Sequence, residues 1–145
     1  MSFGYDVLGF GSFPNRSSLV PLEATGGTIT TSGLFTIHTF TSSGTFAVQS
    51  GTRDADYLVI AGGGGGFRAG AAGDTKGGGG AGGYRNTVSG EYSGRNSAAE
   101  SQLPIEAGNY TVTIGAGGAN SPDSSVAATK GADTVFGSIT SLGGG

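Results

Sequence analysis

The chain has 145 residues, of which 32 are glycine, with no cysteine, 12% charged residues and a formal net charge of −3. Its seven basic residues are scattered, so it lacks the basic stripe of a nucleic-acid binder. The missing cysteines exclude disulfides, thiolate metal sites and cysteine nucleophiles.

Glycine loses the most conformational entropy on ordering, so so many glycines must be offset by close packing, backbone hydrogen bonds or partner subunits. Low charge and abundant Val, Ile and Thr argue for a β-rich fold rather than a solvated coil.

Residues 1–25 are aromatic and irregular, with Phe3, Tyr5, Phe10 and Phe13 set among glycines and prolines that oppose a helix. Exposed aromatics need a surface to cover them. The segment is expected to be an extended arm that docks on a partner; the alternative is a tail folded back on its own domain. The start carries no basic and apolar leader pattern of a signal peptide. The longest apolar run, 57–61, is far short of the roughly 20 residues of a membrane span. Release by lysis, inside a virion, is one expected route out of the cell, with no membrane insertion.

Residues 26–61 read as strands. Ser42-Ser43-Gly44 predicts a turn joining Thr39-Phe40-Thr41 to Thr45-Phe46-Ala47 in a hairpin. Asp56-Tyr57-Leu58-Val59-Ile60-Ala61 is apolar on both faces, as in a buried central strand.

A glycine tract then runs over 62–83. It opposes an α-helix, at roughly 1 kcal/mol lost per glycine relative to alanine. An extended, polyproline-II-like backbone lets bare main chains approach closely. Beyond it, Tyr110, Val112 and Ile114 share one strand face, and Thr134–Ile139 forms a last short strand. The chain stops within Gly143-Gly144-Gly145, and the natural product is expected to continue past it. A strand running into glycine occurs three times, at Leu58–Gly66, Val112–Gly118 and Ile139–Gly145. If those strands share one sense, their glycine loops cluster at one end of the sheet.

No catalytic constellation is present, and no enzyme activity, cofactor or metal site is expected. Gly62–Gly66 follows a strand, but no long helix or βαβ unit follows it, as dinucleotide binding requires. Asp74-Thr75-Lys76-Gly77 lacks the hydroxyl that a P-loop supplies to Mg²⁺. His38, the sole histidine, reads as a strand-face or hydrogen-bonded residue. Asp54 and Asp56 share a strand face without other marks of a hydrolytic pair or a Ca²⁺ loop. Contact residues remain. Phe67 and Arg68 follow the first glycine run, and Tyr84 and Arg85 follow the second. An aromatic beside a guanidinium suits sugar or protein-surface recognition. Alternatively, Tyr84 begins a strand and packs inward, with Arg85 in solvent.

The run from His38 to Phe46 followed by Ala55 to Gly66, the segment Gly77–Arg85, the segment Ala107–Gly118 and the segment Gly131–Ile139 resemble, in that order, a glycine-rich domain family of tailed phages, especially marine and cyanobacterial ones. The resemblance covers about 34–145; Phe67 to Lys76 departs from it by interrupting a usually longer glycine stretch. It implies a tail-fibre or adhesin-like virion protein and brings no catalytic residues. The expected architecture is all-β, a small jelly-roll-like sandwich with glycine-rich loops at one end. Residues 1–33 are expected to anchor it to other virion proteins, with 34–145 the glycine-rich β domain. A homotrimer and a host-surface glycan or protein are the expected partners. The rival readings are a capsid decoration protein and a carbohydrate-binding module.

Overall fold

A computed structural model describes residues 20–67, 77–123 and 125–145. The arm aromatics Phe3, Tyr5, Phe10 and Phe13 and the guanidinium of Arg68 lie outside them. The described residues are almost wholly β, with a single 3₁₀ turn at Gly94–Asn96. Thirteen short strands appear in chain order. They are β1 (Glu23–Thr25), β2 (Thr28–Ser32), β3 (Phe35–Thr39), β4 (Gly44–Ser50), β5 (Arg53–Ala55), β6 (Leu58–Ile60) and β7 (Tyr84–Asn86), then β8 (Tyr92–Ser93), β9 (Ser97–Ala98), β10 (Leu103–Ile105), β11 (Gly108–Thr113), β12 (Thr134–Phe136) and β13 (Ile139–Ser141).

The main sheet has the order β1-β4-β11-β12-β13, all antiparallel. Alternation puts Phe46 and Val48 of β4 and Tyr110 and Val112 of β11 on one face, with Phe136 beside them. The β5–β10 ribbon covers that face with Ala55, Leu103 and the almost fully buried Ile105. This two-layer packing is the apolar core. The ring of Phe46 meets Phe136 at 5.8 Å and His38 at 4.9 Å, both edge-on. His38 also bonds the carbonyl of Gly26 through Nδ1 at 2.9 Å, the hydrogen-bonded strand position expected of it.

Several local expectations are corrected. The hairpin around Ser42-Ser43-Gly44 does not form. β3 pairs with β2, while β4 pairs with β1 and β11, so residues 40–43 only link them. The partner of Phe46 is Tyr110, far along the chain, and burial of their shared face outweighs the local turn signal. β6 is not a buried central strand. It pairs with β7 alone, burying Tyr57 and Val59 while Leu58 and Ile60 stay half exposed. The final strand is split into the β12–β13 hairpin by Gly137, whose φ of +54° suits a tight turn. Residues 23–32 also carry strands: β1 belongs to the main sheet and β2 pairs with β3.

Candidate surface-recognition site and the glycine lattice

The expected clustering of the glycine runs is present. β6, β11 and β13 lead into extended rows at 61–67, 115–121 and 142–145. These rows run parallel: Gly118 donates to Gly63 O, Ser121 to Gly66 O and Gly144 to Gly62 O. Rows 77–83 and 129–132 return antiparallel to them, into β7 and β12.

The pairing repeats every three residues. The amides of Ala61, Gly64 and Phe67 donate to Gly83, Gly80 and Gly77 at 3.0, 2.8 and 2.8 Å. Those of Gly62 and Gly65 donate to Ala132 and Thr129, while the carbonyls of Gly63 and Gly66 accept from row 115–121. A β-strand has only two hydrogen-bonding edges, with period 2. A period of three with neighbours on several sides is the signature of polyproline-II-like rows, which make no hydrogen bonds of their own. Each row therefore satisfies its backbone through its neighbours, as buried amides must. At many of these positions a side chain has no room. A Cβ on Gly62, Gly65, Gly79, Gly82, Gly118, Gly131, Gly143 or Gly144 would lie under 3.0 Å from a neighbouring backbone oxygen.

At the end of the lattice away from β6, Phe67 and Gly77 end two antiparallel rows side by side, and the rows ending at Ser121 and starting at Thr129 do the same. Between Ser121 and Thr129, Asp123 Oδ1 accepts from the Ser125 hydroxyl and from the amides of Ser125 and Val126. The Ser125 bonds, hydroxyl first, draw the Asp123 carboxyl below its usual range.

Of the four residues singled out for recognition, the three that are described, Phe67, Tyr84 and Arg85, do not come together at one place. Phe67 sits at this far end, moderately exposed, its amide bonded to Gly77. Tyr84 and Arg85 follow the other end of row 77–83, about 19 Å away at the ~3.1 Å rise of such a row. Tyr84 opens β7, half buried opposite Ile60, with its hydroxyl 3.5 Å from Glu91 Oε2. The Arg85 guanidinium is engaged rather than free. Its Nε lies 2.9 Å from Glu100 Oε1 and its Nη1 donates to Thr140 O at 3.0 Å.

Glu100 joins a network that the sequence did not single out. It also accepts from the Tyr57 hydroxyl at 2.8 Å and from Ser93 Oγ at 3.1 Å. The Arg85 hydrogen bond, aided by those of Tyr57 and Ser93, lowers its carboxyl to about 2 against burial. Burial first, then the bond to Glu100, raises the Tyr57 phenol above its usual value. Asn86, almost wholly buried, is a second missed residue. Its side chain donates to Tyr92 O at 3.0 Å and accepts from Val88 N at 2.6 Å, pinning both ends of the 88–92 loop. The only sequence sign of that loop is Gly90-Glu91-Tyr92-Ser93-Gly94, an acidic–aromatic pair between turn-forming glycines.

A β-scaffold that extends into a lattice of glycine-rich rows defines a glycine-rich, β-structured protein. The profile of the glycine-rich domain family matches residues 39–145, and the chain belongs to that family. No curated protein and no solved structure matches the chain.

Proposed function

We propose that the chain is a non-enzymatic structural protein of a phage-type virion, a tail-fibre or adhesin subunit. In this reading it attaches to the particle through its N-terminal arm, assembles as a homotrimer and contributes to host-surface attachment. The observation that favours it is the lattice. Five cross-bonded rows, with backbone packed against many of their glycines, extend from the β-scaffold. Such an extension is suited to holding contact loops rigidly at a distance, since binding residues commonly sit on loops fixed by a stiff scaffold. It offers nothing of the strand–loop–helix geometry that grips a phosphate.

The test is immunogold labelling of purified particles with antibody raised against the full chain. Sparse label at the tail is expected. Dense label over the capsid shell would identify a decoration protein instead, and unlabelled particles would end the virion reading. Light scattering of the full chain checks the trimer; a monomer at micromolar concentration would rule it out.

A further inference from the structure

An open groove of about 470 Å³ lies beside the β8–β9 hairpin, away from the lattice end. Its volume is in the range of small-ligand sites, about 300–1,000 Å³. Ser89, Glu91, Tyr92, Ala98, Ala99 and Glu100 are among its lining residues. Tyr92 stands directly opposite Ala98 across the hairpin. A methyl group cannot cover a phenol ring, so Tyr92 is 65% exposed. The turn that closes the hairpin is tight, with Arg95 and Asn96 both left-handed at φ +63° and +60°.

The groove is held in shape before anything binds. Asn86 ties the rim at Val88 and Tyr92 from beneath. Arg85, Tyr57 and Ser93 fix the carboxylate of Glu100. Such pre-organisation lowers the ordering cost of binding. Glu91 differs, because its one bond to a side chain, from Tyr84, is long at 3.5 Å. Its carboxylate remains available to accept from a ligand hydroxyl.

We propose that this groove binds a neutral saccharide. A bare tyrosine face takes the C–H face of a pyranose, the alanine methyls pack its edge, and the Glu91 carboxylate accepts from adjacent hydroxyls. The charge pattern selects the class. Glu100 is paired with Arg85, so the uncompensated charge on the groove is the Glu91 carboxylate, and no cationic side chain lines it to attract an anionic sugar.

Saturation-transfer NMR on the full chain tests this with maltotriose, cellotriose and chitotriose, and with sialyllactose as the anionic probe. At least one neutral trisaccharide binds, with a Kd on the order of 1 mM. Tyr92→Ala weakens it about tenfold or more with an unchanged melting temperature, and Tyr92→Phe restores it. Absence of signal with all three neutral sugars overturns the proposal, as does binding that survives Tyr92→Ala or a preference for sialyllactose. The measurement needs no particle. A negative result here leaves the virion reading intact, and unlabelled particles would leave this site intact.

Discussion

The α-carbon of Gly62 faces the carbonyl of Ala116 so closely that a Cβ placed on it would come within 3.0 Å of that oxygen. The obstacle is backbone, held by the bond from Ala132 N to Ala116 O at 2.8 Å, so no rotamer change can relieve it. Gly62→Ala is therefore expected to destabilise by about 3 kcal/mol or more, at or above the usual cost of overpacking. Gly78 has no heavy atom within 4 Å of such a Cβ and no left-handed φ. Gly78→Ala should be neutral or stabilise by up to about 1 kcal/mol, through the lost freedom of the unfolded chain. Urea titrations of the two variants decide it. Equal effects at both positions would mean that the lattice is not the packed object described.

The contrast between Gly62 and Gly78 marks where the sequence stops being informative. The three strand-to-glycine entries are visible in it because Leu58, Val112 and Ile139 alternate or cluster beside glycine. From them follow the parallel rows. The pairing partners cannot be read, because consecutive glycines carry no side chain to distinguish one register from another. Tertiary pairing likewise hides Phe46 opposite Tyr110 behind a plausible local turn. Arg85 and Glu100 are one cation and one anion among scattered charges, and only the fold brings them to 2.9 Å. The groove at Tyr92 depends on which residue lies across the hairpin, and Ala98 there is an accident of register that composition does not announce.

Glu100 should make stability acid-sensitive. Its folded-state carboxyl titrates near 2, below the 4.5 of the free group, chiefly through the Arg85 hydrogen bond. A depressed pKa contributes stability above the unfolded value, and that contribution is lost as pH falls from about 4.5 towards 2. Melting temperature should drop across that window in the native chain. Glu100→Gln should melt lower at pH 7 and show a shallower acid slope, since the ion pair is already gone. An unchanged slope would assign the acid loss to other carboxylates.

Asn86 is 1% exposed and serves two backbone partners that no other side chain serves. Asn86→Ala strands the amide of Val88 and the carbonyl of Tyr92, at about 1–3 kcal/mol for each group left unsatisfied. Part of that cost is relieved because the loop can open to water. The expected outcome is a loss of roughly 2 kcal/mol overall. Faster hydrogen exchange should appear at Val88 and Glu91, with the main sheet unaffected. Slow exchange persisting at Val88 would show that the loop is held by something other than Asn86.

Phe35 and Phe46 sit in similar Thr-rich runs yet should behave oppositely. Phe46 is 7% exposed and packs against His38, Tyr110 and Phe136. Phe46→Ala removes a core ring and should cost about 3–5 kcal/mol. Phe35 is 68% exposed on the β2–β3 ribbon, opposite Ser32. That ribbon is a two-stranded unit, which by itself is marginally stable in water. Phe35→Ser removes little buried area and should change the stability of the isolated chain by less than about 0.5 kcal/mol. Chemical denaturation at low protein concentration measures both. A large loss for Phe35→Ser under those conditions would mean that the ribbon packs within the chain more tightly than its exposure allows.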